Sequence, residues 1–112
     1  MKITNREKEP KSAVLEVPGV TIQNVISDTD GAENFFMRLF EMAPGVKTEP
    51  HAHDYEHEIY ILEGQGTVIG EGEPKAINGG DILFIPANER HTFRNDGPDK
   101  LVWICLIPAP KT

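Results

Sequence analysis

Three of the chain's four histidines, His51, His53 and His57, fall within seven positions. The fourth, His91, lies in a second short block running from Gly80 to Asn95. Neutral imidazole is the commonest protein ligand for transition metals, so this spacing points to a metal ion. In an extended strand alternate side chains share a face. His51 and His53 then project together, roughly 6.6 Å apart along the strand, and can converge on one ion. His57 has the same parity but follows Asp54-Tyr55-Glu56, which reads as a short connection. It would open the next strand and arrive beside the first two. The competing account of the same residues is a surface histidine cluster on a hairpin.

A site of this kind needs a rigid frame, and the composition bounds what that frame is. One chain of 112 residues suffices for a single domain with one core. Nine prolines and ten glycines suit a β-rich chain better than a helical one. A net charge of −7 argues against nucleic acid or an anionic membrane as partner. The single cysteine excludes an internal disulfide. Residues 1–10 carry no apolar run of the secretory kind, and the longest apolar run, Leu101 to Ile107, is too short to span a bilayer as a helix. Cytoplasmic residence is the default expectation.

The elements follow from alternation and turn chemistry. Residues 1–12 are charged and without period, which predicts an N-terminal arm or edge segment ahead of one domain over 13–112. Val14 to Ile26 reads as a strand broken by Pro18-Gly19, with Val20, Ile22 and Ile26 on the buried face. Asp28-Thr29-Asp30-Gly31 reads as a turn. Phe35 to Met42 is a strand, apolar on both faces except for Arg38. Further strands are expected at 65–70, 75–77, 81–85, 91–95 and 101–107, separated by turns at 71–74, 78–80, 86–89 and 95–98. No stretch sustains a 3.6-residue period with caps, so no helix is expected. Many short strands with turns between them predict an all-β sandwich or barrel.

Two spaced motifs then bring a family into view. Gly45 is followed by five residues, His51-Ala52-His53, three residues, His57, six residues and Gly64. Further on, Gly80 is followed by five residues, Pro86-Ala87-Asn88, two residues, His91, three residues and Asn95. The chain thereby resembles the cupin superfamily in its small single-domain form. Histidine stands where most members have glutamate. Glu58 competes for that place, but counting back six residues from Gly64 selects His57. Asn88 replaces the motif's glycine, and asparagine is the best substitute in a left-handed turn.

The resemblance implies a double-stranded β-helix, a jelly-roll barrel with one divalent metal inside an open end. Its ligands would be His51, His53, His57 and His91. It also implies a homodimer and a small-molecule substrate. Within the family the chain is similar to cupins whose manganese is held by four histidines. Imidazole itself would equally accept Fe2+, Zn2+, Ni2+ or Cu2+.

Other residues are placed by parity. Phe93, Trp103 and Cys105 are pocket candidates. Arg38 is one too, against the plainer expectation that it pairs with Glu41 or Glu56. Tyr60 and Glu58 are expected to pack structurally against the opposite layer, and Asn95 to stabilise a turn. Asp54, Tyr55 and Glu56 are placed to orient the ligands. The leading expectation is a manganese- or iron-dependent oxidoreductase of the dioxygenase type. The alternatives are a non-catalytic binding cupin and a redox-neutral isomerase or lyase.

Overall fold

The computed structural model describes residues 1–110. Among the described residues nine strands form two antiparallel sheets. They are β1 Ser12–Ala13, β2 Val20–Ile26, β3 Phe35–Met42, β4 His57–Glu63, β5 Gln65–Ile69, β6 Lys75–Asn78, β7 Ile82–Ile85, β8 Thr92–Arg94 and β9 Leu101–Pro108. The larger sheet runs β1-β2-β3-β9-β4-β7 and the smaller β6-β5-β8. This is the expected all-β jelly-roll barrel. The sole helical element among the described residues is a 3-10 turn at Asp28–Asp30, where the sequence reads as a turn.

The core lies between the sheets. Leu101, Trp103, Cys105 and Ile107 of β9 are all buried, as are Ile59 and Ile61 of β4. They meet Val20, Met42, Ile77, Ile85 and Phe93 in one cluster. β9 forms the spine, pairing with β3 along its whole length and with β4 on its other side.

One strand departs from simple alternation. Ile26 was expected inward with Val20 and Ile22, but it is exposed, while Gln23 and Val25 are buried. A register shift between Asn24 and Ile26 places Ile26 opposite Met37, on the outer face. An extra residue in one strand reverses the parity of everything beyond it. Gln23 is buried because the N-terminal arm covers it: its amide Nε2 donates to the carbonyls of Arg6 at 2.7 Å and Glu9 at 2.9 Å. The arm is also tied by Lys2 Nζ, which donates to the Val25 carbonyl at 2.8 Å.

Two special backbone positions fix turns, one between β4 and β5 and one before β8. Gly64 sits at φ +93°, and a β-carbon there would collide with the Lys100 carbonyl. Asn88 is the non-glycine residue in the left-handed region, at φ 69°. Its own N–H donates to the His53 carbonyl at 2.6 Å, which clips the loop before β8 to the histidine segment.

Candidate metal centre

The histidine segment 51–53 is extended but is not a full strand; it is held by a single bridge between His51 and His91. Each of these two residues donates its backbone N–H to the other's carbonyl, at 3.2 and 3.0 Å. This reciprocal pair sets the first motif against the second, 40 residues apart in the chain. His57 is the first residue of β4, opposite Ile85 of β7, so Asp54-Tyr55-Glu56 is indeed the connection.

The result is a cluster. One ring nitrogen from each of His51, His53 and His91 lies within 4.8 Å of the others, close enough to share an ion. His57 stands beside this trio rather than within it, its ring centroid 4.8 Å from that of His53 and 5.5 Å from that of His91. Tyr55 stacks on both His53 and His57, with centroids at 5.1 and 5.3 Å. That gives the connecting loop an orienting role through an aromatic ring. Asp54 and Glu56 are exposed.

Hydrogen bonding shows how the rings are primed. His51 Nδ1 lies 2.9 Å from the Glu49 carbonyl, and His91 Nδ1 lies 2.9 Å from the Glu89 carbonyl. A carbonyl only accepts, so each Nδ1 carries the proton and each Nε2 keeps its lone pair for a ligand. His57 Nδ1 lies 3.2 Å from Cys105 Sγ, and its buried Nε2 has no partner. A buried polar atom without a partner is costly, and an ion coordinated there would satisfy it. The donor set therefore fits a divalent transition metal.

Electrostatics points the same way. Burial drives His57 down to about 3, with His53 and Arg38 adding to the effect. Burial also lowers His53, reinforced by His51 and His91. It lowers His91 too, partly opposed by the hydrogen bond to Glu89. The rings are thus held neutral, the form in which imidazole binds metal.

The cluster lines the wall of a cavity of about 470 Å3. Arg38, Phe93, Trp103 and Cys105 all line it, together with Phe40 and Ile59. Arg38 does not pair with Glu41 or Glu56, contrary to the plainer expectation. Glu41 instead binds Lys11 and Lys100. The reason is register: Arg38 sits opposite Cys105 on the inward face of β3, and its Nη2 donates to Cys105 Sγ at 3.2 Å. The thiol is 2% exposed, and burial raises its pKa, opposed by Arg38. Tyr60 and Glu58 also depart from expectation. They face outward and are exposed instead of packing under another layer. Asn95 is a turn residue: its side-chain amide donates to the Met42 and Asp99 carbonyls, each at 2.9 Å, and its Oδ1 accepts from the Gly97 N–H.

Several cavity residues carried no signal in the sequence. Val14, Glu16 and Val17 form part of the wall, but they belong to an irregular segment between β1 and β2. Thr48 is buried and accepts the Phe93 N–H at 2.9 Å, a contact between positions 45 residues apart.

Residues 38–107 match the family described as Cupin domain. The chain belongs to the cupin family. Among curated proteins it is 38% identical over 86 residues to the polyketide synthase protein CurC of Streptomyces cyaneus, covering 74% of this chain and 56% of that one. It is 39% identical over 84 residues to quercetin 2,3-dioxygenase of Bacillus subtilis, covering 73% of this chain and 24% of that one. The chain thus spans about half or less of the length of these relatives. Among solved structures it resembles the polyketide cyclase RemF of Streptomyces resistomycificus, with a TM-score of 0.92 and 30% identity, covering 98% of this chain and 80% of that one. A Thermotoga maritima protein described as a predicted oxalate decarboxylase matches in fold, with a TM-score of 0.83.

Proposed function

We propose that this cupin is a metal-dependent enzyme that polarises an oxygen-bearing small organic molecule held in its apolar cavity. The observation that carries the reading is the trio His51, His53 and His91, with lone pairs free at Nε2, set in the wall of that cavity. His57 completes the ligand set: its Nε2 is buried and unpartnered, and its ring touches that of His53. A divalent ion there, Mn2+ foremost, supplies Lewis acidity undiminished by any anionic ligand. The protein's own groups hold the substrate, keep the imidazoles of His53, His57 and His91 neutral, and exclude water with Phe40, Phe93 and Trp103.

The redox-neutral version of this chemistry takes first place. The likeness to a polyketide cyclase spans nearly the whole chain and supports it. Oxygen chemistry, the leading expectation from the sequence, is the second reading, supported by the likeness to a quercetin 2,3-dioxygenase. Exchanging manganese for redox-inert zinc separates them. Retained turnover of a β-polyketone substrate under nitrogen supports the redox-neutral reading. Oxygen uptake that disappears with zinc supports the dioxygenase. Tight metal binding without turnover of either kind of substrate would overturn the enzyme reading in favour of a binding protein.

A homodimer belongs to the same proposal. The outer face of the larger sheet carries two cross-strand rows, Ile82-Tyr60-Ile104 and Phe84-Glu58-Leu106. Ile82 is 77% exposed and Phe84 57%. Exposed apolar side chains arrayed on a sheet face are what a partner subunit covers.

A further inference from the structure

Arg38 is a cation with no counter-charge. Its guanidinium carbon lies 5.1 Å from the centroid of the Phe40 ring. Its Nη2 donates to a thiol, a weak acceptor, and its Nε is buried with no partner at all. Among the described residues it forms no ion pair. Two carboxylates line the same cavity, Glu16 and Glu49. Both are exposed, and neither reaches it.

A charge placed this way costs stability unless an anion meets it. The guanidinium lines the cavity, so the missing counter-charge can be supplied by a ligand bound there. The walls beside it define what that ligand carries. Phe40, Trp103 and Phe93 form a row of near-parallel rings, with centroids 5.4 and 4.9 Å apart and interplanar angles of 19° at each step. Val14, Val17 and Val20 add aliphatic surface.

We propose that Arg38 is the substrate anchor, and that the substrate class is a planar, apolar monoanion. The anion is a carboxylate or an enolate, received by the guanidinium. The flat body lies against the Phe40-Trp103-Phe93 wall. Cys105 is a positioning residue: one sulfur touches both Arg38 Nη2 and His57 Nδ1, each at 3.2 Å, and so fixes the anchor relative to the histidines. A small dianion without an apolar body would leave the aromatic wall uncovered and is disfavoured. This inference deepens the proposed function and rests on the same cavity.

Benzoate, benzamide and oxalate are suitable probes. Binding is read by calorimetry and by the NMR shift of the indole N–H of Trp103, the chain's single tryptophan. Metal-loaded and chelator-treated protein are compared. The expected result is that benzoate binds more tightly than benzamide or oxalate in both preparations. R38M should weaken benzoate roughly ten- to a hundredfold, the worth of a charge-assisted hydrogen bond. It should leave benzamide unchanged, and R38K should restore part of the loss. R38M should also unfold no earlier than the wild type, since it removes a half-buried charge that has no ion-pair partner. Equal affinity for benzoate and benzamide in the wild type would overturn the proposal without recourse to any variant. So would full benzoate affinity in metal-loaded R38M, which would leave the metal reading standing. Arg38-dependent benzoate binding in a protein that takes up no metal would keep the anchor and sink the metal reading alone.

Discussion

Acidification of the metal-free protein should expose the burial of His57 directly. The imidazole is 5% exposed, and burial holds it at about 3 against an ordinary value of 6.5. Its folded-state pKa is depressed, so the unfolded chain binds one more proton than the fold between those two values. Stability is therefore fully present above pH 6.5 and falls as the pH drops towards 3. The slope from this one group is about 1.4 kcal/mol per pH unit, and the whole window amounts to roughly 5 kcal/mol. Urea unfolding at pH 7, 6, 5 and 4 in the presence of a chelator would measure it. His53 and His91 are lowered too, but their causes are burial and neighbours other than His57. Their share should persist in His57→Gln. The variant should thus show a shallower dependence on pH, by about 1.4 kcal/mol per unit through that window. An unchanged slope would refute the reasoning, because it would mean His57 is protonated with equal ease folded and unfolded.

Three further outcomes follow from the same geometry. Gly64→Ala should destabilise the fold by several kcal/mol, seen in chemical denaturation, because the new methyl meets the Lys100 carbonyl at a positive φ. Asn88→Gly should be within about 0.5 kcal/mol of the wild type, and Asn88→Val should cost more than 1 kcal/mol, since only the latter resists φ 69°. Phe84→Glu and Ile82→Glu should shift the protein from dimer to monomer in light scattering, and a wild type that is already monomeric at high concentration would remove the dimer proposal.

The fold could be read from the chain because its signals are local. Turn residues such as Asn78-Gly79-Gly80 and the apolar run Leu101 to Ile107 that becomes β9 depend on neighbours within a few positions. The clustering of His51, His53 and His91 was likewise foreshadowed by spacing within two short motifs. What escaped depends on distant partners. The inward register of Arg38 is set by its pairing with Cys105, 67 residues away. A strand with apolar residues on both faces gives no clue to which side a lone arginine takes. The parity of Ile26 was lost to a bulge, which inserts no distinctive residue. Tyr60 was expected under a second layer, yet the barrel leaves that face open. The place of Val14 and Val17 in the cavity wall rests on how an irregular segment folds back, and no periodicity encodes that.

The central claim is that the histidine cluster holds a metal ion. Elemental analysis by inductively coupled plasma mass spectrometry, on protein purified without added metal or chelator, tests it most directly. Close to one equivalent of manganese or another divalent transition metal per chain is expected. That metal should be lost in His53→Ala and His91→Ala, bound much more weakly in His57→Ala, and retained in Glu58→Ala. A protein that emerges empty and fails to take up manganese, iron, zinc, nickel or copper on titration would contradict it.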